Sequence, residues 1–169
     1  MRVAFSGSHR VGKSSLIEQV AERLPRYTLI GEPYHLLEED GYEHADPPSL
    51  EDFEAQLERS LEVLEEPDPD VLAYLLTHED AEEFELDEWL ERARDAMQRL
   101  ELVVFVPIEA RDRIPVPAHE DRAQRRAVNA KLHEILVDDS LGFEVEVLIC
   151  EGDLATRTGL VLSRFDLKA

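Results

Sequence analysis

The densest chemistry in the chain lies in Gly7-Ser8-His9-Arg10-Val11-Gly12-Lys13-Ser14, followed by Ser15. This run fits G-x-x-x-x-G-K-[ST], a pattern in which a curled backbone aims several N–H groups at a chain of phosphates. Gly7 and Gly12 let the backbone turn where a Cβ would obstruct it. Lys13 is placed to reach the β- and γ-phosphates of a nucleotide, and Ser14 to offer its hydroxyl to Mg²⁺. Further on, Glu32 and Tyr34 fall just past a short apolar run, at the strand edge where ligands gather in open α/β sheets. A carboxylate there accepts a hydroxyl proton or holds it by a hydrogen bond. A third group is basic: Arg111, Arg113, Arg122, Arg125 and Arg126, with Pro115 and Pro117 among them. Against a formal net charge of −21, such a cluster marks a place for a polyanion. The plainer alternative is surface pairing with Glu120, Asp121 and Glu134.

These residues need elements to hold them. Val3-Ala4-Phe5 suits a buried strand, and Leu16, Ile17, Val20 and Leu24 follow at helical spacing, so the loop joins a strand to a helix. Tyr27-Thr28-Leu29-Ile30 reads as a second strand. Glu38 to Pro48, with Gly41, Pro47 and Pro48, reads as a loop, after which Ser49 and Asp52 form a capping box for a helix striped by Leu50, Phe53, Leu57, Leu61 and Leu64. Pro67-Asp68-Pro69-Asp70 breaks that helix. Val71 to Leu76 fits a strand or a helix. Asp87 is placed to cap a helix running through Trp89, Leu90, Ala93, Met97 and Leu100. Leu102 to Val106 is the clearest buried parallel strand. The arginine-rich helix buries Ala123, Ala127, Val128, Leu132, Ile135 and Leu136, which turns its arginines elsewhere. Glu144 to Cys150 reads as a further strand, and Gly152-Asp153 leads into a last helix. Strands alternating with helices imply a mostly parallel sheet covered on both faces.

Bulk composition narrows the classes. The chain has 169 residues, which suits a single domain over 1–169, and its 43% hydrophobic content supports a core. No apolar run approaches a membrane span. The strong negative charge disfavours general nucleic-acid binding. A lone cysteine, Cys150, fits a reducing cytoplasm and a small buried role at a strand end, not a nucleophile.

In this order the elements resemble the nucleoside and nucleotide kinase branch of the P-loop proteins, nearest to the ribosylnicotinamide-kinase-like group and related short AAA-type ATPases. The likeness spans nearly the whole chain and rests on Gly7 to Ser14, Glu32, the segment Arg111 to Arg126, and Gly152. It implies a three-layer α/β P-loop NTPase fold with helices on both faces of a mostly parallel sheet, and a mobile arginine-rich lid over about 109–126. It also implies ATP and Mg²⁺ as cofactors, with Arg111, Arg113, Arg122, Arg125 and Arg126 closing over the transferred phosphate and Gly152-Asp153 near the adenine. The expected activity is phosphate transfer from ATP to a small hydroxylated acceptor such as a nucleoside or nucleotide, by a monomer or homodimer. The alternatives are a regulatory ATPase without an acceptor, and a nucleotide-binding module that has lost catalysis.

The family also places a strand ending in an acidic residue, usually Asp-Arg, between its second and third helices. No such stretch stands near Asp70, where Asp68 and Asp70 are the nearest substitutes. Either Val71 to Leu76 replaces that strand, or the segment is deleted, or residues are missing at this point. The last is the expectation, because losing a central strand exposes its neighbours' edges.

Overall fold

The computed structural model describes residues 1–63, 68–110, 114–117 and 121–166. Among these, β1 (Val3–Ser6), β2 (Leu102–Phe105) and β3 (Val147–Ile149) form one parallel sheet in the order β1-β2-β3. The helices are α1 (Lys13–Arg23), α2 (Pro33–Glu39), α3 (Leu50–Val63), α4 (Pro69–Leu75), α5 (Leu86–Met97), α6 (Arg122–Leu136) and α7 (Leu154–Asp166), with a 3₁₀ turn at Ala81–Glu83. The chain is therefore α/β with a small, open parallel sheet.

The central strand explains the layering. Every residue of Leu-Val-Val-Phe in β2 is buried, so both its faces must be covered. Val103 and Phe105 point into a core with Leu57, Leu72, Leu75, Met97 and Leu132, drawn from α3 to α6. Leu102 and Val104 point the other way, against Leu16 and Val20 of α1 and Val161 of α7. Burying each such side chain contributes about 1.5–3 kcal/mol. Cys150 is fully buried just past β3, as its composition suggested.

Local signals set most helix starts. Ser49 and Asp52 form the expected reciprocal box: the Ser49 N–H donates to Asp52 Oδ2 at 2.7 Å, and the Asp52 N–H to Ser49 Oγ at 3.2 Å. Asp121 caps α6 by accepting from the N–H groups of Ala123 and Gln124.

Several expectations change or narrow. The loop expected from Glu38 begins only after α2 ends at Glu39, the helix expected to reach Leu100 ends at Met97, and Leu64 lies outside the described residues. Tyr27 to Ile30 is not a strand: Tyr27, Leu29 and Ile30 are 45%, 60% and 54% exposed. Among the described residues β1 is an edge strand paired with β2 alone, and this segment adds no ladder to its open edge. Val71 to Leu76 belongs to a helix, because Asp68 caps it through the Asp70 N–H and Pro69 occupies its first turn. The chain runs unbroken from 1 to 169, so no residues are missing at this point. The strand expected over Glu144 to Cys150 shrinks to Val147–Ile149; Glu144, at φ 52, is not extended, and the register with β2 begins at Val103 opposite Val147. Asp87 lies inside the first turn of α5, where Glu85 is the capping position without a side-chain bond.

Candidate functional site

The Gly7–Ser14 run leaves the end of β1 and enters α1, the context its pattern requires. Gly7 is packed so tightly against β2 that an added Cβ would sit 2.5 Å from the Val106 carbonyl oxygen. Gly12 has φ 93, in the left-handed region, and forms the start of α1 without a side-chain cap. Uncapped N–H groups at a helix start favour an anion. Ser14 and Ser15 follow, exposed on the first turn of α1.

One cavity, about 490 Å³, is lined by the whole run from Gly7 to Ser15. Glu32, Tyr34, Asp68, Asp70, Phe53 and Tyr74 complete its walls. The structure thus gathers the loop residues and Glu32 around one space. Glu32 gets there without a strand, as the residue preceding Pro33 at the start of α2.

Lys13 does not stand alone. Its Nζ pairs with Asp70 Oδ2, while Asp70 Oδ1 accepts from Ser6 Oγ at 2.6 Å and from the Gly7 N–H at 2.8 Å. Asp70 is 7% exposed. One carboxylate therefore ties the end of β1, the loop entrance and the loop lysine to the first turn of α4. Burial alone would lower the Lys13 pKa, but Asp70, Asp68 and Glu32 outweigh it and hold the ammonium form. Burial and the neighbouring Asp70 push the Asp68 carboxyl up to about 7.

The far wall is aromatic. Phe53 and Tyr74 stack with ring centroids 5.3 Å apart and planes 2° from parallel. The Tyr74 hydroxyl lies 2.6 Å from His9 Nδ1, which binds this wall to the loop. Tyr34 stacks on His44 at 4.0 Å, holding α2 over the cavity.

The remaining sequence candidates sit apart from this space. Arg111 and Arg113 lie outside the described residues. Arg122 and Arg126 are exposed on α6 and do not line the cavity. From the expected lid segment, Ile114 does line it. Arg125 contradicts the expectation that the α6 arginines turn away: it is 5% exposed and packed on the loop, while Ala123 and Ala127 are exposed. The helix stripe runs through Arg125, Val128, Leu132 and Ile135, spaced three and four apart, so periodicity puts the arginine inside. Gly152 does not reach the cavity either; its N–H donates to Glu109 Oε1 at 2.9 Å, and Asp153 Oδ1 accepts from the Thr156 N–H at the start of α7.

Sequence reasoning treated Asp68 and Asp70 only as substitutes and missed Phe53, Tyr74, Glu109 and Arg157 as site residues. Asp-Pro-Asp is itself a helix-start signal, with a capping carboxylate followed by proline. Arg157 shares a helix stripe with Val161, four residues on, a position that buries a charge.

ATP and Mg²⁺ fit what is present: a helix start with free N–H groups, a lysine at its first residue and the Ser14 hydroxyl beside it. Among the described residues no group of three or more His, Cys, Asp or Glu side chains is placed to hold a metal. Among the described residues no helix is long and apolar enough to cross a membrane. Compared with known proteins, the chain matches no family model, no curated protein and no solved structure.

Proposed function

We propose that the chain is an ATP- and Mg²⁺-dependent phosphotransferase of the P-loop kinase type, acting on a small hydroxylated acceptor such as a nucleoside or nucleotide. The observation that carries this reading is the convergence of Lys13, Asp70, Glu32 and the Gly7–Ser15 backbone on one cavity. Phosphoryl transfer demands placement and charge neutralisation more than covalent help. In this reading the loop N–H groups and Lys13 hold the β- and γ-phosphates, and Ser14 directs its hydroxyl toward the metal. When bound, Mg²⁺ would add positive charge to offset the charge of the phosphates.

The acceptor hydroxyl oxygen bonds to the γ-phosphorus as the bond from that phosphorus to the bridging oxygen breaks, leaving ADP. Glu32 receives the hydroxyl proton. Asp70 releases Lys13 to the phosphates and retains its bonds from Ser6 and Gly7. Phe53 and Tyr74 offer a flat apolar wall suited to a ring-bearing acceptor.

The test is phosphate transfer from ATP–Mg²⁺ across nucleosides, nicotinamide riboside and nucleoside monophosphates, with ADP and phosphorylated product quantified together and Lys13→Ala as control. Matched ADP and product, both lost in the variant, is the expected result. ADP with free phosphate and no acceptor dependence would replace this reading with a regulatory ATPase. Tight ATP binding without turnover would replace it with a nucleotide-binding module.

A further inference from the structure

Three consecutive carbonyls in the middle of the loop are tied to two buried arginines from distant helices. Arg125 of α6 donates from Nε to the His9 oxygen at 3.0 Å and from Nη2 to the Arg10 oxygen at 3.4 Å. Arg157 of α7 donates from Nη1 to the Val11 oxygen at 2.6 Å and from Nη2 to Glu109 Oε1 at 2.6 Å. Each arginine is 5% exposed.

In a trans peptide the carbonyl of one residue and the N–H of the next point in opposite directions. Drawing the carbonyls of His9, Arg10 and Val11 toward α6 and α7 turns the N–H groups of Arg10, Val11 and Gly12 the other way. His9 to Gly12 all line the cavity. The loop pays for this arrangement with strain, since Arg10 has φ 58, a conformation a non-glycine residue adopts only when its surroundings impose it.

We propose that Arg125 and Arg157 are positioning residues that clamp the loop carbonyls and so pre-orient its N–H groups toward phosphate. The clamp rests on the reading of the loop as a phosphate site. It acts through hydrogen-bond direction, with charge a secondary contribution. Glu109 completes it: by accepting from Arg157 and from the Gly152 N–H, it fixes the guanidinium in the plane that meets Val11. A guanidinium suits this task because its donors diverge from a rigid plane, whereas an ammonium cannot reproduce that fork.

Arg125→Lys and Arg157→Lys keep the charge and remove the fork, which separates direction from attraction. Calorimetric titration with Mg²⁺-free tripolyphosphate should show about a tenfold loss of affinity for each variant, the size expected when a charge-assisted hydrogen bond is lost. Adenosine affinity should not change, and the ligand-free variants should still melt cooperatively. Variants that melt earlier yet bind tripolyphosphate within about twofold of wild type would show a merely structural role and overturn the clamp.

A second measurement needs no variant. In isotope-labelled wild type, tripolyphosphate should move the amide N–H resonances of Arg10, Val11 and Gly12 and leave the carbonyl carbons of His9, Arg10 and Val11 nearly in place. Carbonyl shifts as large as the amide shifts would mean that the ligand reorients the peptides itself, against the proposal. Failure of wild type to bind tripolyphosphate would remove the phosphate site, and the clamp with it. Binding by wild type with unaffected variants would remove the clamp alone.

Discussion

The loop is gripped from two sides by groups of opposite charge, and the two grips differ in kind. On the α6–α7 side, Arg125 and Arg157 hold carbonyl oxygens, groups that a phosphate does not seek. On the α4 side, Asp70 holds the Lys13 ammonium, the group that a phosphate does seek. The arginine side is compatible with a bound ligand and works as a fixed frame. The carboxylate side competes with the ligand for the same lysine and must yield. In the phosphate site proposed above, a permanent frame combines with a displaceable counter-charge in a strongly acidic chain.

The largest effect that separates the two sides is expected at Asp70. Asp70→Asn leaves an acceptor for Ser6 and Gly7 but strands the Lys13 charge, so urea unfolding should show a loss of about 3 kcal/mol or more. The same variant should bind Mg²⁺-free tripolyphosphate more tightly than wild type, because Lys13 no longer has to be released. The arginine variants should bind it more weakly. If Asp70→Asn weakened binding as they do, both sides would be frames and the comparison would collapse.

Asp68 offers the next effect. Its folded pKa of about 7 lies above the ordinary 3.8, so the native state holds this proton more tightly than the unfolded chain. Stability should therefore fall as pH rises from about 4 to 7, with the penalty fully present above the folded value. Asp68→Asn keeps a capping side chain and removes the charge. It should flatten that slope and raise stability at pH 8 by roughly 2 kcal/mol. Parallel stability–pH curves for variant and wild type would deny the carboxylate side its excess negative charge.

The smallest structural effect belongs to the exposed arginines. Arg122→Ala and Arg126→Ala should change stability by no more than about 0.5 kcal/mol. If the lid reading holds, each should still lower kcat by about tenfold in the acceptor assay, with KM for ATP little changed. An unchanged kcat would confine the arginine chemistry of this chain to the buried pair.

How much of this was legible depended on the distance over which each signal acts. The passage from strand through the Gly7–Gly12 turn into a helix was readable because the pattern and its flanking elements are contiguous. The capping box at Ser49 and Asp52 was readable for the same reason. The buried strand Leu102–Phe105 announced itself by unbroken apolarity. Tyr27 to Ile30 misled because a strand depends on pairing that a short apolar run does not specify, and this run leaves the open edge of β1 unladdered. Asp70 was hard to value because its partners Ser6, Gly7 and Lys13 lie some sixty positions away in sequence. Arg125 was misassigned by its charge even though its spacing from Val128 and Leu132 put it on the buried stripe. Periodicity was the better guide there, since donating to two loop carbonyls offsets part of the cost of taking the guanidinium out of water.

The most direct test of the central claim is titration of ATP–Mg²⁺ into wild type and into Lys13→Ala, each first shown to be folded. The account predicts saturable one-to-one binding by wild type, weakened at least a hundredfold in the variant, a loss in line with removal of a half-buried charge partner from a triphosphate. Equal affinity in both proteins, or no binding by either, would contradict the assignment of the Gly7–Ser15 cavity as the phosphate site.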